Sequence, residues 1–334
     1  MIELSHDRLV IRFPEVHADA VLHVEFQRTL RIPDDGRNYA LPPGLGRFPL
    51  RHVDDFAARV SARWLRRGGV MLPMYQSEAM WLNFSSPSGY PFAVKVGAGK
   101  INAVTGDAWS DELRRRPQDY LAVPDQPWLD GFCVAKGVIR QFVAMPLGAG
   151  YSVEEQLTGD AEFGGVQLLV HPLKATSWHP RPRYVAEPAV YSLCAMESDS
   201  PDGADMGLGA GGTMEQEIYD DPQDFTDWDT SHRARCFVHL ANALVWRAIT
   251  GDAPPTVPPT AAEYTRAGLP WFEYYGADRQ ALDGGVPFRG VKSVAEMGKA
   301  KGDVPLPENE PVDPANVVKL RAGLREDEVR EGVF

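Results

Sequence analysis

The sequence predicts an α+β fold: a large, mostly antiparallel sheet, a few packed helices and a proline-rich C-terminal tail. Three observations predict it. Segments of β-branched and aromatic residues with near-alternating polarity recur through the first half. Most connections between them span two to eight residues, too short for the crossovers a parallel sheet requires. Capping-box spacings appear before only a few short apolar stretches, so helices are a minority.

Taken in order, DRLVIRF and AVLHVEFQRTLRI read as strands, and NYALPPGLGRFPL as a proline- and glycine-rich connection. Over residues 51–67 the period changes. Val53, Phe56, Val60, Trp64 and Leu65 fall at helical spacing, with Arg66 and Arg67 in the last turn and Gly68 as the stop. AMWLNF and FAVKVGA flank the turn SSPSGYP and read as a hairpin. WSDELRRRP predicts a short helix capped by Ser110. YLAVP, GFCVAKGVIRQFVAMPL and GGVQLLVHPL read as further strands, with Ser152 and Glu155 capping a short helix between the last two. TSHRARCFVHLANALVWRAITG reads as the longest helix, its apolar stripe running through Phe237, Leu240, Leu244 and Val245 to Gly251. Thr260/Glu263 and Ser293/Glu296 repeat the capping-box spacing. The organisation this suggests is a β-rich half (1–165), a mixed half (166–300) that can be continuous with it, and an extended or partly disordered tail (301–334).

Composition narrows the function classes. Apolar residues make up 44% and charged residues 24%, a globular profile. The first residues carry charge throughout with no apolar core of a secretory signal, and no apolar run is uninterrupted enough to span a bilayer. Three cysteines without paired spacing suit reduced thiols in a cytoplasmic protein. The net charge of -12 is uneven. Residues 1–150 hold 18 Lys/Arg against 16 Asp/Glu, and residues 151–334 hold 16 against 30. An exterior of that sign repels a phosphate backbone, so neither nucleic acid nor a membrane is an expected partner.

Several constellations compete for chemistry. Gly207, Gly209 and Gly212 satisfy G-x-G-x-x-G, yet an acidic, proline-containing stretch precedes them and no apolar helical stripe follows. Glu197, Asp199, Asp202 and Asp205 flank Pro201 and Gly203, which can bend a chain around a hard divalent cation, Ca²⁺ first. The spacing fits no EF-hand, and the simpler expectation is a mobile acidic loop with no cofactor. His232, Cys236 and His239 would share one side of the long helix, where they suit either a soft metal or a second buried face. His171 and His179, with Glu154 and Glu155 upstream, could form an acid/base pair or a metal site for a hydrolase or isomerase; the alternative is a loop histidine beside cap carboxylates. Trp128, Trp271 and Phe272 lie in aromatic-proline segments that serve either as docking platforms or as plugs of a sheet core.

EIYDDPQDFTDWD, RCFVHLANALVWRAITG, TAAEYTRAGLPWFEYYG and GVKSVAEM resemble a block found in a protein family of bacteria and fungi with no assigned activity, best over residues 207–300. The resemblance implies a shared fold and assigns no catalytic residue. The function expected from the sequence is a cytoplasmic binding or assembly protein that contacts a protein partner or itself through an acidic, aromatic-proline surface.

Overall fold

The computed structural model describes residues 1–179, 205–274 and 279–320. The first stretch of chain forms β1 (Ile2–Leu4), β2 (Leu9–Arg12), β3 (Val21–Thr29), β4 (Asn38–Tyr39), β5 (Gly44–Arg47) and β6 (Arg51–His52). Helix α1 (Ala62–Arg67) leads into β7 (Val70–Met74), β8 (Ala79–Ser85), β9 (Phe92–Ala98) and β10 (Ile101–Asn102). Next come β11 (Leu121–Val123), β12 (Trp128–Leu129), β13 (Gly131–Ala135), β14 (Val138–Pro146), α2 (Val153–Thr158) and β15 (Val166–Pro172). The remainder carries β16 (Asp205–Glu215), β17 (Ala234–Asn242), α3 (Ala243–Thr250), α4 (Ala261–Arg266), β18 (Trp271–Tyr274), α5 (Val294–Lys301) and β19 (Val317–Leu320).

Strands β1 to β17 belong to one continuous sheet, almost entirely antiparallel, and β18 and β19 form a second. The predicted fold class is the observed one. One run of the large sheet follows β2–β3–β8–β14–β16, and the other follows β17–β15–β9–β11. They join where Asp205 and Met206 pair with Ala241 and Leu240. The sheet folds back there, because inward side chains of both runs fill a single core. Leu22, Val24 and Phe26 of β3 and Phe142 of β14 come from one layer, while Val94 and Val96 of β9 and Leu168 and Val170 of β15 come from the other. Pairings cross residue 165 repeatedly, as in β9 with β15 and β7 with β17.

Four local expectations are corrected. Strands β8 and β9 both form, but they do not pair; β8 lies between β3 and β14, and β9 between β11 and β15. Residues 86–91 are therefore an arch between layers. Period-two patterning shows that a strand has a buried face, and says nothing of which neighbour it meets.

The predicted long helix splits. Residues 234–242 are strand β17, held between β15 and β7, and only 243–250 are helical. A strand buried on both faces loses its alternation and mimics a helical stripe. Residues 51–67 begin with the two residues of β6, and their helical part is only a short turn at 54–56 and α1, capped by Ser61 and closed by Gly68. Their periodic residues still meet, since Val53 and Trp64 share a small core with Trp246 and Ile249 of α3. No helix forms at 110–117; the Ser110 hydroxyl accepts the Glu112 N–H in a loop.

The capping boxes at Ser152/Glu155, Thr260/Glu263 and Ser293/Glu296 all form. A second aromatic core lies on the outer face of the first layer. Leu30, Ile32, Ile139 and Met214 form its floor, and Tyr264 of α4, Trp271 of β18 and Val312 cover it.

Candidate functional site

The four predicted acid/base residues do not converge. Glu155 closes the α2 capping box, and its second oxygen accepts the N–H groups of Gly148 and Gly150 at 2.9 and 2.7 Å. Glu154 is buried and accepts from Gly164 at 2.7 Å and Lys100 at 3.1 Å. Burial pushes its carboxyl pKa up, and those backbone N–H groups oppose the shift. Glu154 therefore pins the chain beside the end of the β9/β15 ladder where Ala98 meets Val166, and Glu155 ties the loop at 148–150 to α2.

His171 sits at the other end, opposite Ala93, five residues or about 17 Å along the strand. Its Nδ1 faces the carbonyls of His232 at 3.0 Å and Asp229 at 3.2 Å, so Nδ1 carries the proton. Nε2 is buried without a partner, and burial lowers the imidazole pKa. His179 is exposed.

Of the predicted cation ligands, Glu197, Asp199 and Asp202 lie outside the described residues. Asp205 opens β16 and is half-buried; burial raises its pKa against the charges of Arg63 and Arg67 and a hydrogen bond from Trp64. Among the described residues no three His, Cys, Asp or Glu side chains are grouped to hold a metal. Gly207, Gly209 and Gly212 do not form a phosphate loop: they lie inside β16, paired to β14 along most of its length. A Cβ at Gly212 would collide with the carbonyl oxygen of Pro33, so this glycine permits a close backbone approach.

The His232, Cys236, His239 constellation dissolves with the helix. Positions 236 and 239 of a strand point to opposite faces. Cys236 joins the main core, where burial pushes its thiol up to about 12. His239 stacks on Trp64 at 4.5 Å and bonds the Gly68 carbonyl at 3.0 Å, and burial pulls its pKa down to about 4. His232 pairs instead with Asp229 at 2.8 Å.

The aromatic candidates do come together. Trp271 is fully buried and plugs the second core, so it is no exposed platform. Trp128 and Phe272 are half-buried at its rim, and Trp128 meets Tyr274 edge-on at 4.7 Å. Beside this rim runs β19, paired in parallel with β18. Val317 and Val318 of β19 are 37% and 40% exposed, among the few large apolar side chains on the described surface.

Two clefts complete the picture. One of about 250 Å³ lies between β1 and β17, with His52, Asp54, Arg67 and Arg235 around an apolar floor. The other, about 330 Å³, is walled by Asp34, Arg140, Thr213, Glu296 and Lys299. Sequence reasoning missed the buried charges. Lys95 and Asp119 pair at 2.7 Å with almost no exposure, as do Arg28 and Glu78 at the same distance. The available signal was a cation inside an apolar run: Lys95 in FAVKV and Arg31 in LRIP.

No family model, no curated protein and no solved structure matches this chain. Among the described residues no helix is long and apolar enough to cross a membrane.

Proposed function

We propose that this chain is a binding or assembly protein that recruits a basic, extended protein segment along the edge of β19. The observation that carries the reading is an edge strand with an exposed apolar pair. Among the described residues β19 pairs only with β18, and Val317 and Val318 stand exposed beside the Trp128, Phe272 and Tyr274 rim. An edge of that kind offers main-chain groups for strand addition and side-chain contacts for selectivity. Charge decides the partner's sign: 30 Asp/Glu against 16 Lys/Arg over residues 151–334 favours a cationic segment and disfavours a second copy. A binding role also fits the occupations of Glu154, Glu155 and His171, whose hydrogen bonds go to the α2 cap and to neighbouring loops. A cytoplasmic setting fits the free, buried thiols of Cys133 and Cys236.

The test is binding of a peptide of alternating valine and lysine, followed by fluorescence anisotropy, with a valine–glutamate peptide as control. Val318→Lys is expected to weaken the valine–lysine peptide by about tenfold or more. Equal affinity for wild type and variant would remove β19 as the contact. Equal affinity for both peptides would remove the charge argument, and a stable dimer in native mass spectrometry would make the partner a second copy.

A further inference from the structure

The large sheet leaves two unpaired strand flanks on one cleft. Among the described residues β1 pairs only with β2. Met1 and Arg12 exchange main-chain bonds at 2.8 and 2.9 Å, and the Ser5 N–H reaches the Arg8 carbonyl at 2.9 Å. Residues 1, 3 and 5 therefore face β2, while Ile2 and Leu4 turn their N–H and C=O groups to the bare flank. Part of β17 is bare as well. Residues 234–237 pair with β15, but the β7 ladder begins only at Val238. A Cβ on Gly69 would strike the Phe237 carbonyl oxygen, so Phe237 turns its main chain to the β7 side. By the same alternation Arg235 does so too, at a level where β7 has given way to α1.

Ile2, Leu4 and Arg235 all line the cleft of about 250 Å³, and Leu9, Val70 and Phe237 give it an apolar floor. Unpaired main-chain donors and acceptors thus meet one space from two walls. Groups at strand spacing on an apolar floor select an extended peptide. A cavity of roughly 150 Å³ takes up benzene, so there is room for a side chain and the main chain that carries it. The cleft is smaller than the roughly 300–1,000 Å³ of a small-molecule site. Charge sets this cleft apart from the β19 edge. Glu3 and Asp54 are matched in its lining by Arg67 and Arg235, so neither a basic nor an acidic segment is favoured.

We propose that this cleft receives an uncharged, extended segment of a partner protein. The segment bonds the bare flanks of β1 and β17 through its main chain and rests one apolar side chain on the floor. This site is separate from the β19 edge and does not depend on it.

The probe is a capped peptide of alternating valine and threonine, followed by fluorescence anisotropy. Its control is the same peptide with N-methylated amides, which keeps the side chains and loses the main-chain donors. The control is expected to bind about tenfold more weakly or worse, and the probe to slow amide exchange at Leu4 and Arg235. Leu4→Pro removes the N–H at the bare flank while Glu3 still pairs with Val10, and is expected to weaken the probe about tenfold. Val318→Lys, on β19, is expected to leave probe binding unchanged. If Leu4→Pro does not fold, exchange at Leu4 and Arg235 in the wild type decides. Absence of binding overturns the proposal, as do equal affinity for the control, unslowed amides at Leu4 and Arg235, or lost binding in Val318→Lys. Equal slowing of those amides by a valine–lysine peptide overturns the choice of an uncharged segment. Slowing at Leu4 that grows with protein concentration alone makes the occupant a second copy.

Discussion

The two largest hydrophobic cores share the first layer as a common wall, and they are closed by different means. The main core is enclosed by strand ladders on both sides, so the side chains of β3, β8, β9 and β15 that line it are fixed by a register of backbone hydrogen bonds. The second core has the large sheet only beneath it. Its cover is α4, the short β18/β19 pair and the chain to Val312. That cover is tied on by a few bonds, such as the reciprocal Leu41–Phe272 bridge and the Arg37 guanidinium on the Val312 carbonyl. Two cores of similar chemistry therefore differ in how far a local failure spreads.

The largest expected effect separates them directly. Phe142→Ala, in the main core against Phe132 at 4.8 Å, is expected to cost about 4 kcal/mol and to lower the whole unfolding transition. Trp271→Ala removes a comparable side chain from the second core. Amide exchange should then accelerate over 261–274 and 312–320 while β9 and β15 keep their protection. Uniform acceleration in both variants would mean that the cores form one cooperative unit.

The next effect sharpens the comparison through pH. Asp130 lies beside the second core, bonded by Gln216 at 2.8 Å and by Trp128, and burial raises its pKa to about 7. A raised carboxyl binds its proton more tightly in the folded state, so its contribution is present below the ordinary value near 4 and lost as pH rises towards 7. His239 does the opposite. With its pKa lowered to about 4, its contribution is present above 6.5 and lost as pH falls below that. The maximum is about 4 kcal/mol for Asp130 and about 3 kcal/mol for His239, and between pH 4 and 6.5 they oppose one another. Asp130→Asn should therefore become progressively more stable relative to wild type from pH 4 to 7, measured by urea unfolding. A difference that stays constant with pH would refute the assignment.

The smallest effect concerns a local device common to both regions. Glu155→Gln keeps the shape of the α2 cap and removes its charge, at an expected cost of about 1 kcal/mol by thermal unfolding. A cost near 4 kcal/mol would mean that α2 anchors the main core.

How much of this was legible depended on whether the signal was local. Ser152/Glu155, Thr260/Glu263 and Ser293/Glu296 named their helices because a capping box is contained in four residues. The strands Val21–Thr29, Ala79–Ser85 and Phe92–Ala98 were legible from their alternation, whereas their partners were not. At 234–242 burial on both faces erased the alternation, and the helical residues that follow extended the false period. The glycines of β16 resembled a loop because their role, letting neighbouring backbones approach, leaves no side-chain pattern. Trp271 was visible as an aromatic beside proline, but only its depth separates a plug from a platform. Arg31 was in plain view within an apolar run, and its meaning depends on a segment nearly 280 positions later.

Strand β17 settles a matter of timing. It fills the place between β7 and β15, pairing with segments that leave the ribosome some 170 and 70 residues before it. Until it arrives, β15 has one bare flank, and β7 has only the two-residue ladder to β6. A nascent chain stopped short of residue 234 thus displays two apolar, unzipped borders that make a truncated product sticky, and β17 closes both in the finished one.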